Sequence, residues 1–253
     1  MPSSVVRVES IADLLTERFV RLYGTRPTIF RAPGRVNLIG EHTDYNDGFV
    51  MPAAIDLYTW VAASARNDRI VQVQSNQFAE TVDLSLDALA GPPRKHWSDF
   101  IRGVAATIEA AGHGLRGANL VIDGHVPIGA GLSSSASLEV SAALALLWAA
   151  NLELPPLEVV NICQRAEHEY AGTRCGIMDQ FIATFGRSGH ALMLDCRSLE
   201  HKLLPIPNDV RLVMCNSMVK HELAAGEYNR RRADCESGVR TLGQHLPNVL
   251  ALR

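Results

Sequence analysis

The residues best suited to chemistry lie in one stretch, 31–46, which reads RAPGRVNLIGEHTDYN. Arg35 follows a Pro33-Gly34 pair that reads as a turn, and Glu41, His42, Asp44 and Tyr45 fall within five positions. Two carboxylates, an imidazole and a phenol side by side are costly as scaffold, because buried carboxylates need partners. A sugar does call for this density, since each hydroxyl both donates and accepts a hydrogen bond. The plain alternative is a polar turn between strands.

A second stretch, 127–138, reads PIGAGLSSSASL. Gly129, Ala130, Gly131 and Leu132 run into Ser133, Ser134 and Ser135, and the serines open an apolar helix. The glycines let the backbone approach a ligand closely. The helix start leaves N–H groups unpaired and carries partial positive charge. Together these make an anion site suited to nucleotide phosphates, and the hydroxyls could add hydrogen bonds or hold a magnesium ion. No Gly-Lys-Ser/Thr follows, so the loop is not of the Walker type, and Ser134 stands where G-x-G-x-x-G would have its third glycine. A glycine-containing helix cap is the competing reading.

Two single carboxylates complete the set. On a helix from Pro156, Glu167 shares a face with Val160 and Cys163 at spacings of three and four. A carboxylate on an apolar stripe must be paired, protonated or bound to a metal. It is either half of a buried ion pair or a Mg²⁺ ligand, since that ion favours one or two carboxylates with phosphate oxygens and water. Asp179, in CGIMDQF, is either an acid complementing a helix dipole or a base that orients a hydroxyl. In the second role it needs a cation beside it, and Arg35 is the evident one.

These residues need elements to position them. Helical patterning with terminal signals appears over 10–24, with a capping-box-like Ser10 and Asp13, and over 97–111, 156–171, 176–185 and 222–246. Strand-like runs cover 28–31, 36–39, 59–65, 70–75, 80–84, 119–123, 191–196, 201–206 and 211–215. The alternation lacks strict βαβ spacing, which makes the class α+β. A boundary is expected near 205–209, where PIPND interrupts the strands.

Composition narrows the classes. The 253 residues are 47% apolar and 20% charged, the range of ordinary globular proteins. A net charge of −3 gives no electrostatic case for nucleic acid or an anionic membrane. Five widely spaced cysteines without a C-x-x-C argue against a disulfide framework or zinc site and for a reducing compartment. The longest nearly apolar run, 140–150, is far short of the ~20 residues of a spanning helix. A soluble, cytoplasmic protein is expected.

Taken together, GRVNLIGEHTDYN, PIGAGLSSSAS, CGIMDQF and EYNRRRADCE closely resemble the galactokinase family of the GHMP kinases, which phosphorylate sugars and other small molecules. The resemblance implies a two-domain fold with an N-terminal mixed-sheet domain, and transfer of phosphate from ATP, with Mg²⁺, to the C1 hydroxyl of galactose. It implies that Asp179 acts as base and that Arg35 holds it ionised and stabilises the transferring phosphoryl group. Glu41, His42, Asp44 and Tyr228 would bind sugar hydroxyls, Asp44 reading the axial one at C4. Gly129 to Ser135 would wrap the ATP phosphates, Ser75 and Trp97 would lie on the nucleotide side, and Ser135 and Glu167 would hold Mg²⁺. A monomer is implied for the complete fold.

One departure stands out. The family carries a third Gly-rich motif late in its C-terminal domain, and the glycines after position 131 are scattered. The expectation is therefore residues 1–205 as the N-terminal domain and 206–253 as the start of a truncated second one. A catalytically silent sugar sensor and a kinase for a related substrate, such as N-acetylgalactosamine, are the rival functions.

Overall fold

The structure is a computed structural model that describes residues 10–216, 224–246 and 248–253. Helix α1 (Ile11–Tyr23) starts with both arms of the expected capping box, Ser10 and Asp13 bonding reciprocally, and ends at Gly24 in the left-handed conformation. Its buried Leu15 and Phe19 pack on Ala62 and Val121.

The strands are β1 (Thr28–Asn37), β2 (Phe49–Val50), β3 (Pro52–Ala65), β4 (Ile70–Ser75), β5 (Glu80–Ser85), β6 (Ala118–Gly124), β7 (His190–Asp195) and β8 (His201–Pro205). They form one mixed sheet in which β3 is the spine. β1 pairs along its length antiparallel, while β6 and β7 take different ends of its other edge. β4 and β6 run parallel, and all other neighbours are antiparallel. Alternation along β3 and β6 sends Ala62 and Val121 toward α1. Val61, Ala63, Leu120 and Ile122 point to the other face.

That face carries the main core. Helices α2 (Asp99–Ala110), α3 (Ser134–Ala149), α4 (Pro156–Ala166) and α5 (Met178–Phe185) pack there, with α3 against β1 and β3. α3 is apolar around most of its circumference because it is enclosed by sheet and helices. α6 (Ala224–Gly243) lies across the end of this layer. Among the described residues, no helix is long and apolar enough to cross a membrane.

Three expectations change. The Pro33-Gly34 pair is not a turn: β1 runs through it, with a register shift between Pro33 and Arg35. The helix from Pro156 does not stay α-helical to 171, because residues Glu167–Ala171 form a π-helical turn. The strand expected over 211–215 is absent; residues 211–216 are exposed and join no ladder. β-propensity alone cannot make a strand without a neighbour for its backbone groups. The last helix is described from Ala224, and the expected start at 222 lies outside the described residues. Among the described residues, the last strand of the sheet in chain order, β8, ends at Pro205.

Candidate active site

Arg35 owes its position to Gly34. A Cβ on Gly34 would sit 2.8 Å from the Leu132 carbonyl oxygen and 2.9 Å from Val126 Cγ1. Only a glycine lets β1 press against the 127–133 loop here, and the Arg35 backbone N–H then donates to the Leu132 carbonyl at 3.0 Å. The shifted register re-aims the following side chain, as bulges do. The Arg35 guanidinium donates from Nε to Asp179 Oδ1 at 2.7 Å and from Nη2 to Oδ2 at 2.8 Å. Its Nη1 donates to the Gly131 carbonyl at 2.5 Å. This two-point pairing is the strong, directional form of an arginine–carboxylate contact.

The loop itself is left-handed at Gly129 and Gly131 (φ +71° and +70°) and also at Ser133 (φ 60°). A non-glycine residue there is strained, and such strain gathers at functional sites. Ser133 precedes the first residue of α3, yet its hydroxyl does not cap the helix. It donates to Asp179 Oδ2 at 2.6 Å. The N–H groups of the first turn of α3 thus keep their attraction for an anion.

The 40–46 segment supplies a second, polar side of the site. His42 is left-handed (φ 61°), and its Nδ1 meets the Tyr45 hydroxyl at 2.8 Å. Tyr228 from α6 packs its ring against both, 5.6 Å from His42 and 5.2 Å from Tyr45. Asn37 holds Glu41 at 2.9 Å. Asp44 is buried, and burial followed by the nearby Asp179 carboxylate pushes its pKa up to about 6. Burial, then Asp44 and Asp179, raise the Tyr228 phenol above its usual range, while the Gly176 backbone N–H bonds its oxygen.

α6 is tied down beside this wall. Asn229 accepts from the Arg174 N–H at 2.8 Å and donates to the Gly172 carbonyl at 2.8 Å. Arg232 donates to the carbonyls of Arg174 and Cys175 at 2.9 and 3.2 Å. Glu236 accepts from Arg174 and Arg232.

One cavity of about 480 Å³ is lined by Arg35, Glu41, His42, Asp44, Gly129, Gly131, Leu132, Ser133, Ser134, Ser135, Glu167, Asp179 and Tyr228. Residues picked from five separate places in the chain therefore meet. Ala130 lies between the lining glycines. Ser75 and Trp97 line a second, mostly apolar cavity of about 160 Å³ that shares Phe100, Ser134 and Ser135 with the first. There Trp97 stacks on Phe78 (5.5 Å, 9° between planes) and donates from Nε1 to Glu80 at 2.7 Å. A flat heteroaromatic ring would suit such a slot.

Glu167 begins the π-helical turn and is buried. Burial, then Asp179, push its pKa up to about 7, against hydrogen bonds from Ser135, Cys175 and Gln180. No cation pairs with it among the described residues. Nor do those residues hold a cluster of three or more His, Cys, Asp or Glu able to cage a metal. One buried carboxylate beside one hydroxyl at a phosphate-shaped loop fits Mg²⁺, which takes its other ligands from phosphate and water.

Sequence reasoning missed Glu139 and Gln180. Gln180 Nε2 donates to Glu139 Oε2 at 3.0 Å and to Glu167 Oε2 at 2.7 Å. Burial, then Glu167, raise the Glu139 pKa well above the usual carboxylate range. The signal was available: Glu139 is a carboxylate in an apolar helix, as Glu167 is.

Residues 17–65 match the family model described as the galactokinase galactose-binding signature, and 99–187 match the GHMP kinases N terminal domain. A galactokinase of Chloroflexus aggregans is 51% identical over 236 residues, covering 93% of this chain and 60% of that protein. The crystal structure of Lactococcus lactis galactokinase complexed with galactose superposes with a TM-score of 0.84 at 32% identity, over 96% of this chain and 64% of that one. The Methanococcus jannaschii mevalonate kinase structure shares the fold, with a TM-score of 0.59 at 22% identity over 74% of this chain and 57% of that one. The chain spans about 60% of the length of the curated relatives it matches. Sequence identity, fold and the placement of the motifs agree, and the chain belongs to the galactokinase family of the GHMP kinases.

Proposed function

We propose that the site transfers the γ-phosphoryl group of ATP to the C1 hydroxyl of galactose. The observation that carries this reading is the Arg35–Asp179 pair, set between the hydroxyl-reading wall and the glycine-serine loop. Glu41, His42, Asp44 and Tyr228 bind the sugar hydroxyls, with Asp44 at the axial C4 position. The loop amides of 129–135 and the first turn of α3 take the phosphates, and the apolar slot at Ser75 and Trp97 takes the base. Glu167 and Ser135 hold Mg²⁺, which when bound offsets phosphate charge. Asp179 accepts the C1 hydroxyl proton as the new O–P bond forms and the bond to the ADP oxygen breaks. Arg35 aligns Asp179 and faces the charge on the moving phosphoryl group. Positioning and charge dominate such a transfer. On the same reading, residues 1–205 form the N-terminal domain and 206–253 open a second, although α6 already supplies a wall of this site.

The test is ADP release from MgATP by this chain with and without galactose, beside Asp179→Asn. Galactose-dependent release that falls at least ~100-fold in the variant, the usual scale for a lost general base, is the expected result. Galactose binding without release would favour the second reading, a sugar-binding protein, which the partial coverage of the relatives keeps in play. Release with N-acetylgalactosamine but not galactose would reassign the substrate.

A further inference from the structure

Beneath the cavity floor lies a chain of polar groups that the proposed transfer does not use. α3 presents Ser135 at the cavity and Glu139 one turn deeper on the same face, four residues on. α5 presents Asp179 to the cavity and Gln180, fully buried, to the core. Glu167 sits between them, bonded to Ser135 on the cavity side and to Gln180 on the core side.

The Gln180 amide has two N–H donors, and both are spent on carboxyl oxygens, Glu139 Oε2 and Glu167 Oε2. In this orientation the one amide nitrogen bridges the two acids. Glu139 Oε1 and Gln180 Oε1 have no hydrogen-bond partner among the described residues. A buried polar trio with orphaned oxygens costs stability relative to apolar packing. A core that needed only filling would not carry it.

We infer that Gln180 and Glu139 are positioning residues: Gln180 pins the Glu167 carboxylate beside Ser135, Glu139 fixes the Gln180 amide, and together they set the affinity of the site for a divalent cation. The inference rests on Glu167 being the cation ligand. Outer partners of metal ligands govern affinity by about 10–100-fold elsewhere.

The probe is Mn²⁺ binding to this chain with a non-hydrolysable ATP analogue, followed by electron paramagnetic resonance, with galactose binding measured by calorimetry. Gln180→Met, which keeps bulk and loses both donors, should weaken Mn²⁺ on the order of tenfold and leave galactose affinity unchanged. Glu139→Met should shift Mn²⁺ the same way, while Glu139→Gln, which keeps an oxygen acceptor, should bind like the parent. A purely structural role would not spare galactose, nor separate Met from Gln at position 139. Parental Mn²⁺ affinity in Gln180→Met and Glu139→Met overturns the inference if Glu167→Gln has lost it. If Glu167→Gln also binds normally, the assignment of Glu167 is what falls, and the inference with it. Should Gln180→Met not fold, the two Glu139 variants decide alone, parental affinity in Glu139→Met again overturning it.

Discussion

Asp44 shows what a buried carboxylate costs at the scale of one residue. Its pKa is pushed up to about 6 from 3.8 by burial and by Asp179. The folded state therefore holds a proton on it that the unfolded chain releases near pH 4. Its contribution to stability is full below pH 4 and is lost as pH rises toward 6. The difference between the two states corresponds to about 3 kcal/mol. Asp44→Asn should flatten the dependence of the urea midpoint on pH between 4 and 6, raise stability at pH 7, and abolish galactose binding. A variant that keeps the parental slope would show that Asp44 is not the group responsible. Gly176 belongs to the same account. A Cβ there would overlap the Asp44 carboxyl, so the 172–177 loop must pass position 176 as glycine.

At the scale of elements, α3 must be locked to the sheet for its N-terminus to face the cavity. Ser137 is the lock. Its hydroxyl, fully buried, donates to the Ala32 carbonyl at 2.7 Å and accepts from the Thr59 backbone N–H at 3.1 Å. One side chain thus ties α3 to β1 and β3 within two turns of the serine loop. Ser137→Ala leaves a buried N–H without its partner and should cost about 1–3 kcal/mol, read as a lower urea midpoint. An unchanged midpoint would mean that apolar packing alone holds α3. A similar constraint acts between α2 and α4, where a Cβ on Gly103 would come 2.8 Å from Tyr170 Cβ and 3.1 Å from the Ala166 carbonyl. That close approach lies against the π-helical turn that starts with Glu167, and π-turns recur at functional sites.

For the molecule as a whole, the polar wall of the cavity is assembled from distant parts of the chain, the rings of His42 and Tyr228 packing together. What holds Tyr228 there is the clamp between α6 and the 172–175 loop. Arg232→Ala removes two bonds to backbone carbonyls and the contact to Glu236. Loss of charge-assisted bonds of this kind should raise the galactose KM on the order of tenfold, with the KM for ATP unchanged, in initial rates at saturating cosubstrate. Equal changes in both would point to general loosening rather than to a displaced Tyr228.

The sequence by itself determined the family and most of the candidate site, because the chemistry there is written in short contiguous runs. The glycine-serine loop before an apolar helix and the polar cluster after Gly40, on which the proposed anion and sugar sites rest, are both local patterns. The capping box at Ser10 and Asp13 was equally local. Tertiary structure alone decided what depends on long-range approach. The Pro33-Gly34 pair looks like a turn in isolation, but the strand continues because β3 satisfies its backbone on one side and the Leu132 carbonyl meets Arg35 on the other. Residues 211–215 carry the composition of a strand and form none, since no ladder partner stands beside them among the described residues. The Glu139–Gln180–Glu167 trio joins three helical segments, and only their packing puts those side chains within hydrogen-bond reach.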